Sequence, residues 1–375
     1  MAVAFVYTDR FSRFDYGPAH PLRIERLGLT VALMREYGLL DHPELKMIEA
    51  RPAKAEELIS FHHPDYLAIL HQANLGEFRP GLGIFGFGYG DNPVFRGVYD
   101  WATLVAGASL QACREIIEGR AEIAFNISGG MHHAGPSLAS GFCYINDAAV
   151  AILELVRRGF KVAYVDLDAH HGDGVQNAFY ESNRVLTISL HQTGLTLFPG
   201  TGFVEEQGQG PGRGFAVNIP LLPHSDDEVY TWAFDQVVPP LLEAFRPDVL
   251  VSQLGLDGLH DDPLANLQLT DRAILHACAF LKAQARPWLA LGGGGYNVVS
   301  VALGWTLVLA LMLGVDLPDE LPPGFYSRIE RLEPGRRRLR DQARQSQGLA
   351  KAMALEEARR VVAKIRREVF PVHGL

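Results

Sequence analysis

Short apolar runs alternate with longer stretches of helical period along most of this chain. Runs of about four to eight apolar residues bounded by Gly, Pro or Asp indicate buried strands, whereas apolar positions three and four apart indicate helices. Strands are predicted near residues 3–7, 121–126, 161–165, 185–190, 215–219, 248–254 and 287–291. Helices are predicted over residues 24–37, 98–119, 148–158, 175–180, 226–245, 271–284 and 298–314, with two shorter ones between 53 and 73.

This order of elements predicts an α/β protein with a single doubly wound, mostly parallel sheet and helices on both faces. No linker divides the strands into two sets. We expect residues 1–315 to form the main domain and residues 316–375 a mostly helical extension that packs on it or trails from it. Because sites in such sheets lie at the carboxyl ends of the strands, polar residues that follow strands are the candidates for function.

The densest group of such residues is the segment 166–174, which holds three carboxylates and two imidazoles. Asp168 and His170 are two positions apart, and in extended backbone they project to the same side. Together they suit Zn²⁺ or another borderline divalent ion. The alternative is a pair of helix-capping aspartates with an incidental histidine, but five such groups are hard to solvate at the end of a buried strand.

Three further strand ends carry groups of the same kind. His132 and His133 follow two glycines, Asp257 follows the strand at 248–254, and Tyr296 follows four glycines. Taken one at a time, such histidines and aromatics are more typical of satisfied core residues. Their common position after strands indicates instead that they share one site.

The chemistry that these groups favour is metal-assisted hydrolysis of an amide or ester. Asp168, His170 and Asp257 would supply three ligands and leave a fourth position for water, as in catalytic zinc sites. His132 and His133 would then serve as general base and acid. A structural metal site is the alternative, although such sites are more often closed by Cys and His.

Other residues have supporting roles in this hypothesis. Asp166 and Asp173 can orient imidazoles through N–H···carboxylate hydrogen bonds. Tyr296 can donate its hydroxyl to a developing oxyanion. Phe142 and Phe198 are typical of core aromatics when taken singly, yet their Gly and Pro neighbours would let them wall an apolar tube.

Two motifs elsewhere in the chain are weaker. Residues 81–86 match the dinucleotide pattern G-x-G-x-x-G, but a polar stretch precedes them and more glycines follow, so we predict a long flexible loop. His62, His63 and Asp65 could bind a metal, but the order His-Pro-Asp favours a plain turn at the start of a helix.

Composition narrows the class of protein. The chain has 375 residues, 48% of them hydrophobic, which is enough to bury a large core. Cys113, Cys143 and Cys278 lack metal-like spacing and indicate a reducing compartment. The N-terminus lacks an export signal, and the longest apolar run, 301–315, is shorter than the roughly 20 residues of a membrane span. A soluble, cytoplasmic protein without a membrane partner is therefore expected.

Charge is distributed unevenly along the chain. From Arg336 onward, eleven Lys and Arg against four Asp and Glu give a net charge of +7, and since the whole chain carries −9, residues 1–335 carry −16. This acidic body argues against nucleic acid as a partner. The basic tail is more typical of a solvated helix than of a binding arm.

Five ordered motifs make the chain resemble the zinc-dependent histone deacetylase superfamily, and most nearly its bacterial members, the acetoin-utilisation (AcuC-type) and histone-deacetylase-like proteins. They are GGMHHA at 129–134, GFCYIND at 141–147, DLDAHHGDG at 166–174, FPGTG at 198–202 and GGGGY at 292–296. The resemblance runs from about residue 7 to residue 314. It implies the arginase/deacetylase fold, a deacetylase catalytic domain in residues 1–315, and hydrolysis of an acetyl-lysine-like amide to acetate and a free amine.

The resemblance also implies a role for each matching residue. The zinc ligands would be Asp168, His170 and Asp257. The general base and acid would be His133 paired with Asp173, beside an electrostatic partner, His132, paired with Asp166, and a carbonyl-polarising Tyr296. The substrate contacts would be Gly141, Phe142, Phe198 and Leu264 in the tube, Asp91 near its rim and Arg26 in an inner cavity. A K⁺ or Na⁺ ion beside the zinc would be held by Asp166, Asp168, His170, Ser189 and Leu190.

One departure separates the chain from the arginase relatives, which bind two manganese ions through additional carboxylates. At the matching positions this chain has Gly172 and Leu259, which cannot ligate through a side chain. The sequence therefore predicts one catalytic ion per chain, Zn²⁺ or else Fe²⁺.

Acetylated lysine in a protein is the expected substrate. Acetylpolyamines or other small acetylated amines are the alternative, because an acidic body suits any cationic substrate. A non-catalytic, metal-dependent binding module is less favoured, since neither a ligand nor Tyr296 is missing.

Overall fold

A computed structural model of the protein describes residues 2–79, 81–88 and 90–375. Within these residues, one eight-stranded sheet runs through the molecule. Its strands are β1 (Val3–Tyr7), β2 (Leu45–Glu49), β3 (Ile123–Asn126), β4 (Val162–Asp166), β5 (Val185–Gln192), β6 (Ala216–Leu221), β7 (Val249–Gln253) and β8 (Trp288–Leu291). All neighbouring strands are parallel, in the order β2-β1-β3-β8-β7-β4-β5-β6.

Helices occupy most of the connections between the strands. They are α1 (Glu25–Glu36), α2 (Ala55–Leu58), α3 (Pro64–Ala73), α4 (Val98–Ile117), α5 (Asp147–Arg157), α6 (Asp173–Ala178), α7 (Asp227–Phe245), α8 (Asp271–Ala283), α9 (Val298–Leu313), α10 (Pro323–Ile329) and α11 (Gly348–Glu368). Short 3₁₀ turns lie at Asp9–Arg13, Leu39–Asp41, Leu82–Phe85, Gly210–Gly212 and Phe370–His373. The expected doubly wound α/β sheet is confirmed.

The inner strands are buried on both faces. Every residue of β3, β4, β5 and β7 is buried. Strands β3, β4 and β7 are mostly apolar, whereas β5 alternates apolar residues with Thr187, Ser189 and His191. Burial on both faces is why short apolar runs were sufficient to predict β3, β4 and β7. The apolar helix α9 is buried nearly all round, and no helix within the described ranges has both the length and the hydropathy to cross a bilayer.

Strand β2 is the one that the apolar pattern did not predict. It lies at the edge of the sheet, paired in parallel with β1, and all its residues are partly or fully exposed. Its sequence, LKMIE, includes Lys46 and Glu49. Because an edge strand needs no continuous apolar face, its position in the sheet and not its hydropathy makes it a strand.

The two weaker motifs have structural explanations. His63 caps helix α3 by accepting a hydrogen bond from the Asp65 N–H at 3.2 Å, with Pro64 in the first turn, so the turn interpretation is confirmed. Residues 81–86 form a 3₁₀ turn between two glycines in left-handed conformations. Among the described residues around this turn, no strand precedes it and no α-helix directly follows it, so it does not form the strand–turn–helix junction of a dinucleotide-binding motif.

The C-terminal extension contains helices α10 and α11 and a 3₁₀ turn at Phe370–His373. Helix α11 packs against α7 and β6, and residues 330–347, between α10 and α11, contain turns, irregular chain and an isolated bridge from Arg338 to Glu320. Buried residues along one face of α11 explain its position, namely Ala354, Ala358, Val361, Val362 and Ile365. The boundary at residue 315 stays a prediction.

We expect Ile365→Ala to destabilise the protein by about 2–5 kcal/mol, because removing a buried Ile side chain loses its transfer free energy and leaves a cavity. Ile365 is 1% exposed on the inner face of α11. The free energy of unfolding in urea measures the effect. Leu349→Ala is the matched control, since Leu349 is 77% exposed on the same helix and should change stability by no more than about 0.5 kcal/mol. Equal stability of the two variants would show that α11 does not pack on the sheet.

Candidate active site

Four neighbouring strands in the centre of the sheet, β3-β8-β7-β4, carry the residues predicted to act together. Because the strands are parallel, their carboxyl ends lie at one edge of the sheet, where the segments that follow them converge. The residues delivered in strand order are His132 and His133 after β3, Tyr296 after β8, Asp257 after β7, and Asp166, Asp168 and His170 at and after β4.

Three of these residues form a buried cluster suited to a metal ion. Asp168, His170 and Asp257 each offer a ligand atom, and these atoms all lie within 4.8 Å of one another. His170 Nδ1 is 3.0 Å from Asp168 Oδ1 and 2.9 Å from Asp257 Oδ2. Burial lowers the pKa of His170, but the two carboxylates outweigh that effect and raise the pKa to about 10. The two oxygen donors and one nitrogen donor of this cluster fit a borderline divalent ion.

The remaining oxygen of each carboxylate in the cluster is held by neighbouring protein groups. Asp168 Oδ2 accepts hydrogen bonds from Gln253 Nε2 at 2.6 Å and from the Gly294 N–H at 2.8 Å. Asp257 Oδ1 accepts one from the Ala169 N–H at 2.7 Å. Each aspartate thus keeps one oxygen directed at the ion site. Sequence reasoning missed Gln253, although a polar residue ending the apolar strand β7 was an available signal.

Two carboxylate–imidazole pairs lie beside the cluster, as predicted. His132 Nδ1 is 2.8 Å from Asp166 Oδ2, and His133 Nδ1 is 2.7 Å from Asp173 Oδ1. The Nε2 atoms of the two histidines are 3.0 Å apart. The carboxylates therefore orient both rings so that their Nε2 atoms meet at one point next to the cluster.

The two histidines differ in charge because their surroundings differ. Burial lowers the pKa of His132, but Asp166 and Asp168 outweigh it and raise the pKa to about 9. Burial and the adjacent charge of His132 lower the pKa of His133 to about 4, in spite of Asp173. At neutral pH, His133 is therefore an uncharged base and His132 a cation beside it.

Two buried residues at the start of α5 hold the loop that carries the histidine pair. Asp147 accepts hydrogen bonds from the N–H groups of Gly130 and Met131 at 3.0 and 2.7 Å. Asn146 Nδ2 donates to the carbonyl oxygens of His132 and Ala134 at 3.3 and 3.0 Å. The GFCYIND motif contains both residues, but only the tertiary structure assigns them this positioning role.

A cavity of about 660 Å³ leads from the surface to the cluster. The predicted substrate contacts that line it are Asp91, Gly141, Phe142, Phe198 and Leu264, and the same cavity is lined by His133, His170 and Tyr296. The Phe142 and Tyr296 rings are 5.6 Å apart, and the Phe198 ring is 5.0 Å from that of His133. The two phenylalanines are thus wall residues of a tube that ends at the cluster.

Backbone geometry keeps this tube narrow but open. Phe142 has a φ of 68°, a left-handed conformation that is uncommon for an aromatic residue, and its carbonyl accepts a hydrogen bond from Tyr16 Oη at 2.8 Å. A Cβ on Gly141 would lie 2.4 Å from the His133 ring and 2.8 Å from the Phe198 ring. Only glycine at position 141 leaves both rings in place.

Arg26 lines a smaller cavity behind the cluster together with His132, Asp168 and Tyr296, and its predicted contact with the substrate stays a prediction. Its guanidinium donates to the carbonyl oxygens of Gly293 and Gly295 at 2.7 and 2.8 Å. The structure therefore shows that Arg26 also holds the glycine segment that precedes Tyr296.

Outside the metal cluster, the residues predicted to hold a monovalent ion lie on the neighbouring strands β4 and β5. Asp166 and Ser189 are paired residues on β4 and β5, and Ser189 Oγ is hydrogen-bonded to His191 Nδ1 at 2.8 Å. Leu190 is the next residue of β5, and the monovalent ion near these residues stays a prediction. His171 is directed away from the cluster, because its Nδ1 is 2.8 Å from Thr201 Oγ1 in the loop that carries Phe198.

We expect one tightly bound divalent ion per chain. A Cβ on Gly172 would lie 2.2 Å from Asp166 Oδ2, and Leu259 is 3% exposed in the core, so neither position provides space or a donor for a second ion. Elemental analysis after saturation with Zn²⁺ and dialysis measures the ratio of metal to protein. His170→Ala is the control and should reduce the ratio to nearly zero. Two retained ions per chain would contradict the mononuclear site.

Comparisons with known proteins agree with this geometry. The model of the histone deacetylase domain matches residues 20–312 of this chain. Histone deacetylase B of Dictyostelium discoideum is 39% identical over 325 residues, which are 86% of this chain and 76% of that protein. Human histone deacetylase 1 is 38% identical over 327 residues, covering 86% of this chain and 67% of that protein.

Solved structures are similar over almost the whole chain. A crystal structure of an HDAC homologue complexed with SAHA has a TM-score of 0.90 and 34% sequence identity, covering 98% of this chain and all of that one. A crystal structure of an HDAC homologue from Aquifex aeolicus has a TM-score of 0.88 and 35% identity, covering 96% of this chain and all of that one. The expected arginase/deacetylase fold is thereby confirmed.

Proposed function

Because this chain belongs to the histone deacetylase family, we propose that it removes acetyl groups from lysine side chains of proteins, as an amidohydrolase that depends on one divalent metal ion. The buried cluster of Asp168, His170 and Asp257 at the inner end of an aromatic tube carries the proposal. The resemblance to AcuC-type proteins, the cytoplasmic location and the identity of the metal as Zn²⁺ stay predictions.

The three cluster residues would hold the ion, with Asp168 and Asp257 each contributing one oxygen and His170 its Nδ1. An ion in this site would supply a Lewis acid that polarises the acetyl carbonyl and acidifies a water molecule. Gln253 keeps Asp168 in the required orientation, because its Nε2 donates a hydrogen bond to Asp168 Oδ2, the carboxylate oxygen that faces away from the ion site.

Proton transfer is assigned to the histidine pair. His133, uncharged at neutral pH, accepts a proton from the attacking water at Nε2, while Asp173 holds the Nδ1–H. Water oxygen then bonds to the acetyl carbon, the C–N bond breaks, and the proton on His133 passes to the departing nitrogen. The products are acetate and a free lysine amine. His132 remains a cation and lowers the energy of the negative charge that develops.

Tyr296 stabilises that charge. Burial and the nearby Asp257 raise the pKa of Tyr296 well above its ordinary value, so its hydroxyl stays protonated as a donor. Its ring lies 6.4 Å from the His170 ring and lines the inner end of the tube. The hydroxyl therefore can donate a hydrogen bond to the carbonyl oxygen as it becomes an oxyanion.

The tube favours a long, unbranched aliphatic chain. Phe142 and Phe198 present apolar rings to the methylenes of a lysine, and Phe198 remains 40% exposed at the outer end. At the rim, the exposed Asp91 can accept a hydrogen bond from the backbone N–H of a peptide substrate. The acetylated lysine would thus enter from a protein surface.

A small acetylated polyamine is the second candidate. Within the parts of the chain that the structure describes, the lining of the cavity includes the acid Asp91 but neither Lys nor Arg. A second amine of the substrate would therefore be attracted by Asp91 and would meet no Lys or Arg side chain in the described lining.

Turnover of both substrate classes tests the proposal. An acetyl-lysine peptide and an acetylpolyamine are each incubated with metal-free protein, and then with Zn²⁺ or Fe²⁺ restored, and released acetate is measured. We expect release only with metal, and a higher kcat/KM for the peptide. Faster turnover of the acetylpolyamine would assign small acetylated amines as the substrate in place of acetylated protein. No release of acetate from either substrate would refute the enzymatic function.

A further inference from the structure

We propose that Asp262 is a positioning residue that holds the backbone of Tyr296 so that the tyrosine hydroxyl reaches the carbonyl oxygen of the substrate. This inference rests on the proposed deacetylase function, in which Tyr296 donates to the oxyanion. Asp262 is itself part of neither the metal cluster nor the cavity lining, and its effect on catalysis is through the backbone of Tyr296.

The segment before Tyr296 cannot fix the position of that residue by itself. Four glycines precede it, and Gly293 and Gly295 have φ values of 145° and 125°, which side chains rarely allow. Glycine is the residue with the greatest backbone freedom, so such a segment needs contacts from elsewhere to become rigid. Arg26 provides them for the carbonyl oxygens of Gly293 and Gly295.

Asp262 provides the contact for the backbone of Tyr296 itself. Its Oδ2 accepts a hydrogen bond from the Tyr296 N–H at 2.8 Å. The residue is only 9% exposed, and a hydrogen bond to a buried carboxylate is about twice as strong as one between neutral groups. The N–H of the catalytic tyrosine is thus tied to a loop that follows a different strand, β7.

The second oxygen of the same carboxylate holds the rim of the tube. Asp262 Oδ1 accepts hydrogen bonds from the N–H groups of Leu264 and Ala265 at 2.8 and 3.4 Å. Leu264 lines the cavity. One side chain therefore sets the distance between a wall residue near the substrate and the tyrosine that acts on the carbonyl.

The adjacent Asp261 supplies a matched comparison. Its Oδ2 accepts hydrogen bonds from Ser300 Oγ at 2.5 Å and from Asn297 Nδ2 at 3.1 Å, both at the start of α9. Asp261 thus lies in the same loop as Asp262, but its carboxylate holds the start of helix α9 and makes no hydrogen bond with the backbone of Tyr296.

The test compares Asp262→Asn and Asp262→Ala with Asp261→Asn in the zinc-loaded protein. A misplacement of about 1 Å can cost about 100-fold in rate. We therefore expect kcat to fall about 10- to 100-fold in both Asp262 variants, with one zinc per chain retained. Asp261→Asn should stay within about 3-fold of the wild-type rate. An unchanged kcat in Asp262→Asn, beside an active wild-type enzyme, overturns the inference, whereas an inactive wild type refutes the proposed function itself.

A double-mutant cycle separates positioning of the tyrosine from a general loss of structure. In a Tyr296→Phe background, Asp262→Asn should reduce kcat by less than about 3-fold, because the hydroxyl that Asp262 positions is already gone. A further reduction of 10-fold or more in that background overturns the inference.

Hydrogen exchange of the wild-type holoenzyme tests the same contact without any substitution. The amide of Tyr296 should exchange far more slowly than an unprotected peptide. Rapid exchange at that amide contradicts the hydrogen bond to Asp262, even if none of the variants folds.

Discussion

Replacement of His133 by alanine should reduce kcat for an acetyl-lysine peptide by about 10²- to 10⁴-fold, the usual contribution of a positioned general base. The ring lines the tube, its Nδ1 is held by Asp173, and its lowered pKa keeps it uncharged at neutral pH. His20 is the other imidazole in the lining of this cavity that lies outside the metal cluster, and its Nε2 is 3.2 Å from the carbonyl oxygen of Asp91. Steady-state kinetics with zinc content measured in parallel checks the result.

The control for this prediction is His276→Ala. His276 pairs with Asp235 on the surface, 2.7 Å away, and its removal should leave kcat unchanged. Zinc content should be the same in both variants. A His133→Ala enzyme with the full rate would show that another group accepts the proton of the water.

The pH dependence gives a second measure of the same residue. A group with a lowered pKa stays unprotonated to lower pH than usual, so kcat/KM of the wild type should begin to fall only well below pH 6.5, the ordinary value for histidine. Burial and the adjacent His132 lower the pKa of His133 to about 4. The fall of kcat/KM on the acidic side of the pH profile should therefore report the protonation of His133. A limb centred at 6.5 or above would contradict this assignment.

The Tyr296→Phe variant should lose about 10²- to 10³-fold in kcat, with KM and zinc content little changed. Loss of one donor to an oxyanion has an effect of this size, and the phenylalanine ring keeps the packing against Phe142. The effect is expected in kcat because the hydroxyl acts on charge that exists only in the transition state. Kinetics and metal analysis of the purified variant test it.

Tyr326→Phe provides the comparison for Tyr296. The Tyr326 hydroxyl lies on α10 and donates to Glu330 at 3.3 Å, outside the site. Its loss should not change kcat. Equal rates for Tyr296→Phe and the wild type would remove the tyrosine from the mechanism and, with it, the reason for the contact with Asp262.

Most of the site residues could be identified from local pattern. A short apolar run followed by His, Asp or Tyr marks the end of a buried strand, and the backbone geometry of a parallel sheet assigns such ends to one edge. Asp168, His170 and Asp257 were predicted as ligands for this reason, and they lie within 4.8 Å of one another in the folded chain. The missed strand β2 shows the limit of the pattern, because an exposed edge strand has no apolar signature.

The residues that support the site required the tertiary structure. Gln253, Asp147 and Asp262 hold Asp168, Gly130 and Tyr296 across separations of 17 to 85 residues, and no periodicity relates a hydrogen-bonding side chain to a partner at such a separation. Likewise, His170 and His171 are adjacent in the sequence, but only His170 faces the cluster while His171 holds the loop of the tube.

By itself, the sequence determined the helices and every strand except the exposed edge strand β2, and it determined which reactive groups follow the buried strands. These properties depend on hydropathy and backbone geometry over a few residues. Tertiary structure decided the order β3-β8-β7-β4, in which two strands from late in the chain separate β3 from β4. That order brings an imidazole pair, a tyrosine and three ligands together. It depends on the packing of helices over the whole sheet, which is a sum of many weak, long-range contacts that no single stretch of the chain encodes.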